Sequence, residues 1–316
     1  MKIVYVTGCL GFIGSYVTRK CLERGWKVYG VDKCTYVSNT SLIKEFKKNK
    51  NFKFEKIDIK DMKHLYDCDY VINMAAESHV GNSIVSSREF IDSNVEGVRN
   101  LLELIRTKQI NAGGRPFLFH FSTDEVYGDI LKGEHNEEDM LMPSNPYSAA
   151  KAAGDMLILA WARTYNLDYV IFRPTNNYGI GQYPEKLIPI TIKSFNRGQK
   201  VKLHNMGEPV RNWLHAEDTA NAVMTILDSG VKNEVYNVAG GFEQKNIETV
   251  EKIIKLYYNV EDGWEEYIDF SYVREGQDVR YAINDDKLRS LGWKPQKSFD
   301  EELPKIVEYY KNKFIW

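Results

Sequence analysis

The chain has 316 residues, of which 43% are hydrophobic and 27% are charged, and its net charge is −2 at pH 7. Acidic and basic residues are mixed along the chain, so neither nucleic acid nor an anionic membrane surface is expected as a partner. The four cysteines lack metal-ligand spacing, and there is no secretion signal and no apolar run long enough to span a membrane, which predicts a cytoplasmic protein with unpaired thiols and no metal.

Strand-like runs alternate with helix-like stretches through the first half of the chain. The predicted strands are Ile3–Val6, Lys27–Val31, Phe52–Ile57, Tyr70–Met74, Phe117–Phe121 and Tyr169–Phe172. The predicted helices are Phe12–Arg24, a Lys-rich amphipathic helix between the second and third strands, Ser86–Arg106 and Tyr147–Thr164, with a loop over Gln109–Pro116. This alternation is typical of an α/β fold with a doubly wound parallel sheet of the Rossmann type, whose ligands lie at the carboxyl ends of the strands.

A glycine-rich turn joins the first strand to the first helix, where backbone N–H groups can bind a pyrophosphate. Asp32, at the end of the next strand, can accept hydrogen bonds from both hydroxyls of an adenosine ribose, which favours NAD over NADP, although Lys33 beside it weakens that preference. Asp58 can reach the adenine amino group, and the small Ala75 and Ala76 let a cofactor lie against the backbone. The predicted cofactor-binding residues are Gly8, Gly11, Phe12, Ile13, Gly14, Asp32, Lys33, Asp58, Ile59, Ala75, Ala76, Ser78, Tyr147 and Lys151.

Tyr147 and Lys151 are four residues apart in a helix predicted to start after Pro146, so their side chains share one face. A tyrosine has an ordinary pKa of about 10, and a nearby ammonium group favours the phenolate. Tyr147 can then remove a hydroxyl proton while a hydride leaves for the nicotinamide, and Lys151 can also hold the nicotinamide ribose. The pair predicts the oxidation of an alcohol.

Three polar side chains, Thr123, Asp124 and Glu125, follow the fifth predicted strand where it ends. A simple dehydrogenase or epimerase needs one hydroxyl here to hydrogen-bond the reacting alcohol, and Thr123 supplies it. The two adjacent carboxyls indicate separate acid and base roles with pKa values pushed apart. The predicted catalytic residues are Thr123, Asp124, Glu125, Tyr147 and Lys151.

Together these motifs carry a resemblance to the nucleotide-sugar 4,6-dehydratases of the extended short-chain dehydrogenase/reductase family, most closely to the dTDP-glucose 4,6-dehydratases. The resemblance runs through nearly the whole chain. Beyond the glycine turn, Asp32-Lys33 and Tyr147…Lys151, its motifs are Ala75-Ala76-Glu77-Ser78-His79-Val80, Ser122-Thr123-Asp124-Glu125-Val126-Tyr127-Gly128, Asn176-Asn177-Tyr178-Gly179, Pro184-Glu185-Lys186-Leu187-Ile188-Pro189, Arg211-Asn212-Trp213-Leu214, Tyr236-Asn237-Val238 and Asp278-Val279-Arg280-Tyr281. The Thr-Asp-Glu triplet discriminates most, since similar epimerases and decarboxylases carry other residues there.

The resemblance implies a reaction without net redox change. Tyr147 and NAD would oxidise the C4 hydroxyl of glucose, assisted by Thr123. Glu125 would remove the C5 proton while Asp124 protonates the departing C6 hydroxyl, and the hydride would return to C6 to give a 4-keto-6-deoxy sugar. NAD is therefore expected to stay bound through turnover.

The substrate implied by this resemblance is a nucleoside-diphosphate sugar, whose diphosphate needs cations and amide donors. The fork-shaped guanidinium of an arginine such as Arg211 suits a phosphate. The expected substrate-binding residues are His79, Asn176, Asn177, Glu185, Lys186, Leu187, Arg211, Asn237 and Arg274.

Three motifs depart from the family pattern. Gly81-Asn82 stands where the family usually has an acid and a base, Asn212 where it has aspartate, and Glu275-Gly276-Gln277 where it has Pro-Gly-His. Two of these lie close to where the nucleotide is expected, so dTDP-glucose and UDP-glucose both remain candidate substrates. A nucleotide-sugar 4-epimerase or decarboxylase is the alternative enzyme, and a non-catalytic NAD-binding regulator is the alternative outside enzymes.

The alternation of strands and helices weakens past about Thr175. We expect residues 1–175 to form an NAD-binding Rossmann domain, to which the chain returns around residues 212–240. Residues 176–316 are expected to form mainly a smaller, mixed α/β domain that binds the sugar nucleotide. The resemblance also implies a homodimer that pairs the two long predicted helices.

Overall fold

The structure is a computed structural model that describes residues 1–108, 114–273 and 278–313. Its strands are β1 (Ile3–Thr7), β2 (Lys27–Asp32), β3 (Phe52–Lys56), β4 (Tyr70–Asn73), β5 (Phe117–Phe121), β6 (Tyr169–Pro174), β7 (Asn176–Tyr178), β8 (Val201–Lys202), β9 (Val210–His215), β10 (Glu234–Val238), β11 (Glu243–Lys245) and β12 (Ile268–Asp269). Its helices are α1 (Phe12–Glu23), α2 (Ser41–Phe46), α3 (Val80–Val85), α4 (Arg88–Ile91), α5 (Gly97–Thr107), α6 (Pro146–Tyr165), α7 (Leu187–Asn196), α8 (Ala216–Ser229), α9 (Asn246–Tyr258), α10 (Asp286–Arg289) and α11 (Phe299–Asn312).

Seven parallel strands form the main sheet, in the order β10-β6-β5-β4-β1-β2-β3. The strand order reverses direction between β1 and β4, which opens a crevice at the carboxyl ends of these two strands. This arrangement confirms the Rossmann-type fold expected from the alternation of strands and helices. It also places the glycine turn after β1 beside the ends of β4 and β5.

Apolar side chains cover both faces of the main sheet, as a buried parallel sheet requires. One face packs under α1 and α8, with Val6, Val17 and Val223 in its core. The other face packs under α5 and α6, with Leu102 and Ile158 in its core. The helices thereby hold the strand ends rigidly at the crevice.

A second set of elements lies beyond β6. It contains a three-stranded sheet in the order β11-β9-β7 and the parallel pair β12-β8. Helices α7, α9 and α11 pack together over a separate core that includes Ile192, Trp213, Ile254 and Phe299. Strand β10 returns to the main sheet and pairs with β6.

The long helix expected over Ser86–Arg106 differs from the observed structure. It begins at Arg88, is π-helical over Asp92–Glu96 and continues as α5 to Thr107. Within the π-helical segment the Asn94 side chain accepts a hydrogen bond from the backbone N–H of Glu77 at 3.0 Å and donates to its carbonyl at 2.9 Å. Such π-helical turns are rare in proteins and are frequent at functional sites.

The remaining expectations concern one helix, one loop, the cysteines and membrane spans. Helix α3 was not predicted, and most of the loop expected over Gln109–Pro116 lies outside the described residues. The four cysteines are free, and Cys9, Cys21 and Cys68 are buried. In the described ranges no helix combines the length and apolar character needed to cross a membrane.

Candidate active site

Three adjoining cavities form a cleft along the carboxyl ends of the main strands. The rear cavity, of about 80 Å³, and the central cavity, of about 260 Å³, share the glycine turn and Ala76 as walls. The front cavity, of about 900 Å³, shares Asn176, Asn177, Glu185 and Lys186 with the central one. A long ligand can therefore extend through all three.

The glycine turn leaves room for backbone contact with a ligand. Gly8 has a φ of +68°, and a Cβ at this position would lie 2.9 Å from the backbone nitrogen of Ala75. A Cβ on Gly14 would collide with the carbonyl of Gly8. Helix α1 begins after Gly11 without a side-chain cap, so the N–H groups of its first turn are available to phosphate oxygens. The turn fits the pyrophosphate of a dinucleotide.

Acidic side chains surround the rear cavity. The Asp32 carboxylate accepts hydrogen bonds from the backbone of Leu10 at 3.1 Å and Cys34 at 2.8 Å, and from a serine hydroxyl at 2.8 Å. The Lys33 ammonium lies 2.8 Å from the Glu77 carboxylate and 3.9 Å from that of Asp58. Because these carboxylates already engage Lys33, its charge is not directed to a 2′-phosphate, and the rear cavity suits the uncharged ribose of NAD.

The predicted redox pair lies on α6, which begins with a capping box between Asn145 and Ser148. The Lys151 ammonium donates a hydrogen bond to the carbonyl of Phe121, the last residue of β5. Burial lowers the pKa of Lys151 to about 8. Burial also raises the pKa of Tyr147. A positive charge beside Tyr147 is therefore needed before its phenolate forms near neutral pH.

The Thr123-Asp124-Glu125 triplet forms a tight turn directly after β5. Thr123 Oγ1 accepts a hydrogen bond from the N–H of Glu125 at 3.3 Å and donates to Asp124 Oδ1 at 3.2 Å. Asp124 is only 3% exposed, and burial together with the neighbouring Glu125 raises its pKa to about 8. Asp124 is therefore mostly protonated at neutral pH and can serve as an acid.

Glu125 has a different electrostatic environment. Burial raises its pKa, and the Asp278 carboxylate adds to this increase. The nearby cations Arg211 and Lys186 and the Asn145 side chain act in the opposite direction and favour the ionised form. The two adjacent carboxyls thus differ in their surroundings: burial and Glu125 favour a protonated Asp124, whereas two cations beside Glu125 favour its ionised form.

The sequence did not indicate that Asn145, Asp278 and Tyr281 lie near Glu125. Asn145 caps α6 and also faces this carboxylate. The Tyr281 hydroxyl donates to the Asp278 carboxylate and lies 3.4 Å from Glu125 Oε2. The motif Asp278-Val279-Arg280-Tyr281 had carried part of the resemblance, but nothing in the sequence indicated that Tyr281 reaches the triplet.

Several expected substrate residues line the front of the cleft with their side chains already engaged. Lys186 donates to the carbonyl of Ser78 at 3.0 Å, and Glu185 accepts from the Tyr36 hydroxyl at 2.8 Å. His79 caps α3 by accepting from the N–H of Asn82 at 3.1 Å. These contacts join loops from both sides of the cleft, and Asn176, Asn177, Leu187 and Arg211 complete the list of expected residues in its walls.

The structure does not bring Asn237 into this set. Its Nδ2 donates to the carbonyl of His135 at 3.2 Å, its Oδ1 accepts from the Tyr127 hydroxyl at 2.9 Å, and the residue is fully buried. Its amide is occupied within the protein, so the expected donation to phosphate is not available in this structure. Arg274, the remaining expected residue, lies outside the described residues.

The fold and the cleft together define a class of protein. A Rossmann-type sheet with a dinucleotide turn and a Tyr-Lys pair on the helix before β6 is the architecture of the extended short-chain dehydrogenases/reductases. The model of the family described as GDP-mannose 4,6 dehydratase matches residues 5–306. The chain belongs to this family of nucleotide-sugar 4,6-dehydratases.

Individual relatives agree with this assignment. A dTDP-glucose 4,6-dehydratase of Escherichia coli is 39% identical over 341 residues, covering 100% of this chain and 94% of that protein. The dTDP-glucose 4,6-dehydratase DesIV of Streptomyces venezuelae, solved as a double mutant with NAD bound, has a TM-score of 0.90 at 33% identity and covers 98% of this chain and 97% of its own. A UDP-glucose 4-epimerase of Thermotoga maritima has a TM-score of 0.85 at 26% identity, and the match covers 98% of this chain and 99% of that chain.

Proposed function

We propose that this enzyme uses NAD to dehydrate a nucleoside-diphosphate glucose, in the first place dTDP-glucose, to the 4-keto-6-deoxy sugar. The observation that carries the proposal is the pair of adjacent carboxyls, Asp124 and Glu125, in one cavity with Tyr147 and Lys151. An epimerase has no use for a paired acid and base, whereas the removal of water across a carbon–carbon bond requires both.

The glycine turn, Asp32 and the walls of the rear cavity are the residues that would hold NAD. When bound, NAD accepts a hydride from C4 of the sugar and supplies it again to C6. The relatives solved with NAD support this choice of cofactor. The engagement of Lys33 by Glu77 supports it independently.

In the first step Tyr147 removes the proton of the C4 hydroxyl, which Thr123 orients by a hydrogen bond. The charge of Lys151 stabilises the phenolate that Tyr147 needs for this task. Because the reacting groups stand on the ends of β5 and on one face of α6, they are held in place before the substrate arrives.

In the second step the new C4 ketone makes the C5 proton acidic. Glu125 removes this proton, and the electron pair left on C5 forms the C5–C6 double bond as the C6–O bond breaks. Asp124 gives its proton to the departing hydroxyl, so that one water leaves. In the last step Glu125 returns its proton to C5 as the hydride adds to C6, and the proton that Tyr147 took from the C4 hydroxyl restores Asp124.

The nucleotide would occupy the front cavity, between the Rossmann part (residues 1–175) and the elements formed mainly by residues 176–316. Cations line this cavity from several elements: Lys186, Lys193, Arg197, Lys200, Lys202 and Arg211. They suit a diphosphate, and the relatives named above that act on dTDP-glucose favour thymidine as its nucleoside.

The proposal includes a homodimer in the cytoplasm. The apolar side chains of Ile84, Val85, Ile91 and Met156 are exposed on α3, α4 and α6, which pack against one another. Such a surface suits a second copy of the chain. Light scattering of the purified protein is expected to give a dimer, and a monomer at working concentration would remove this part of the proposal. Cell fractionation tests the location.

The test of the function uses dTDP-glucose and UDP-glucose in parallel and in competition. We expect loss of the mass of one water and the ultraviolet absorbance that 4-keto-6-deoxy sugars develop in base, with faster conversion of dTDP-glucose. Inversion at C4 without loss of water would instead establish an epimerase. No product with either nucleotide would refute the proposed substrates.

A further inference from the structure

A buried carboxylate lies one helical turn beyond Lys151 and takes no part in the steps described above. Asp155 is on α6, two turns after Tyr147, so the three side chains share one face of the helix. It is fully buried. Its Oδ2 accepts hydrogen bonds from Ser122 Oγ at 3.0 Å and from Arg173 Nε at 3.1 Å, and Arg173 Nη2 lies 3.0 Å away.

The other oxygen of Asp155 faces a histidine whose proton position is set by its neighbours. Thr7 Oγ1 accepts two backbone N–H groups at 3.1 and 3.2 Å, so its own proton goes to Asn73 Oδ1 at 2.7 Å. Asn73 Nδ2 then donates to His120 Nδ1 at 3.0 Å, which leaves the proton of the neutral ring on Nε2. That nitrogen faces Asp155 Oδ1 at 3.9 Å. The hydrogen bonds thus run from Thr7, the residue preceding the glycine turn, as far as His120, and the 3.9 Å from His120 Nε2 to Asp155 Oδ1 is too long for a further hydrogen bond.

The cluster around Asp155 contains two positive charges, those of Lys151 and Arg173, and one negative charge, that of Asp155 itself. The charged and titratable side chains facing this cluster are Tyr147 and Lys151 from α6, His120 from β5, Arg173 from β6 and Tyr127 from the turn after β5, with Asp124 and Glu125 acting on Tyr147 from the substrate side. Burial and the two cations hold the pKa of His120 well below its usual range, so it is neutral. Asp155 thus pairs directly with Arg173 and acts on the charge of Lys151 from one helical turn away.

We infer that Asp155 is the counter-ion that keeps Lys151 charged in the buried redox centre, and that it is a positioning residue for the oxidation step. This inference rests on the proposed roles of Tyr147 and Lys151. A guanidinium does not release its proton inside a protein. Without the carboxylate, the buried charges of Arg173 and Lys151 would be left facing a neutral histidine, and Lys151 would lose its proton.

The direction of two pKa shifts agrees with the geometry. Burial lowers the pKa of Lys151 to about 8, and Asp155 opposes this decrease. Burial raises the pKa of Asp155, while Arg173 and Lys151 oppose that increase. The charge of Lys151 near neutral pH therefore depends on the carboxylate, and removal of Asp155 lets Lys151 titrate at a lower pH.

The first test isolates the oxidation step in a Glu125→Gln background, where elimination is blocked. Reduced-nicotinamide absorbance is followed after dTDP-glucose is mixed with the NAD-loaded protein across a range of pH. The oxidation rate should fall at high pH as Lys151 loses its proton, and we call this decrease the alkaline limb of the pH profile. With Asp155→Asn the alkaline limb should move to lower pH by about one unit or more, which is about a tenfold loss of rate at a fixed pH on that limb. Ser122→Ala, which removes a neutral donor from the same carboxylate, should leave the limb in place. A limb unchanged by Asp155→Asn overturns the inference.

A second pair of variants keeps the test valid if Asp155→Asn does not fold, since this change leaves the Arg173 guanidinium buried without its partner. Arg173→Gln alone retains the carboxylate, whereas Arg173→Gln with Asp155→Asn replaces the ion pair by two amides. The alkaline limb should lie at lower pH in the double variant than in the single one. Coincident limbs contradict the inference.

A measurement without turnover separates this inference from the proposed function. Competitive acetylation of lysines by acetic anhydride, read by mass spectrometry, gives the pH at which Lys151 becomes reactive in the NAD-loaded protein. We expect a lower midpoint in the double variant than in Arg173→Gln. A wild-type enzyme that makes no keto sugar would refute the proposed function, whereas equal midpoints would refute the role of Asp155.

Discussion

The centre and the front of the cleft differ in the elements that carry their side chains and in how far those side chains are buried. At the centre, the reacting groups stand at the end of β5 and on one face of α6, and all but the half-buried Glu125 are buried. Thr123 donates a hydrogen bond to Asp124, and Lys151 donates one to the carbonyl of Phe121. At the front, the cations project from α7 and from the segments around β8 and β9, and several, such as Arg197 and Lys200, are exposed. The main sheet and α6 therefore fix the positions of the groups at the centre, whereas the groups at the front come from several separate segments of the chain.

This difference separates chemistry from recognition. Burial at the centre moves the pKa values of Asp124 and Lys151 far from their ordinary positions, so small changes there alter the reaction itself. Cations in contact with solvent at the front hold a ligand by charges that water and salt weaken. The departures from the family pattern, including Gly81-Asn82 and Asn212, fall on the front of the cleft or near it and not among the proposed catalytic residues.

The largest effect is expected from Tyr147→Phe at the centre. Loss of the phenolate removes the base for C4 oxidation, so kcat should fall by about 10²–10⁴-fold while the substrate still binds. Product formation and reduced-nicotinamide absorbance, measured in stopped flow, are the readouts. Tyr165→Phe, at the end of the same helix, is the control and should behave as the wild type. Undiminished turnover in Tyr147→Phe would remove this residue from the mechanism.

Glu125→Gln should divide the reaction at its second step. Oxidation at C4 proceeds because Tyr147 and Lys151 remain, but the C5 proton is not removed, so reduced nicotinamide accumulates and water loss slows by about 10²–10⁴-fold. The exposed Glu138→Gln provides the matched control. Normal product formation by Glu125→Gln would show that another group is the C5 base.

A smaller effect is expected at the front of the cleft. Lys193→Gln removes one of several cations, so KM for dTDP-glucose should rise by about fivefold at most while kcat stays near that of the wild type, since an ion pair in contact with solvent contributes about 0.2–1 kcal/mol. The increase should shrink at high salt. Lys50→Gln, which lies away from the cleft, is the control. A fall in kcat with unchanged KM would show that the front also takes part in the chemistry.

The smallest expected effect is a change in the stability of the folded protein that depends on the protonation of Asp124. The pKa of Asp124 is about 8 in the folded protein, against an ordinary value of about 3.9 in an unfolded chain. From about pH 4 to pH 8 the folded state retains a proton that the unfolded chain has released, so Asp124 lowers stability progressively as the pH rises through this window.

Asp124→Asn removes that titration and should raise the melting temperature by a few degrees, at about 2–4 °C per kcal/mol. The gain should be larger at about pH 8.5 than at about pH 5, and the variant should lose dehydration activity. Thermal melts at the two pH values are the measurement, with the exposed Asp61→Asn as control. An equal gain at both pH values would mean that Asp124 is not protonated in the folded state.

Much of the centre could be predicted from the sequence because its residues follow local rules. The glycine turn, Asp32 and the triplet each lie at or just after the end of a strand, and the spacing of Tyr147 and Lys151 places them on one helix face. Asn237 was expected from its motif to bind the substrate phosphate, yet its side-chain amide forms buried hydrogen bonds with Tyr127 and with the carbonyl of His135. Local sequence does not reveal which way such a side chain faces.

By itself the sequence determined the parallel sheet, the dinucleotide turn and the order of the reacting groups along the chain, because strand period, glycine and helical spacing are local properties. Only the tertiary structure decided how these groups are tuned. Tyr281 lies close to Glu125, Glu77 engages Lys33, and Asp155 pairs with Arg173, and each of these contacts joins residues distant in sequence. Charge and burial act through space, so their effects on a pKa appear only when the chain is folded.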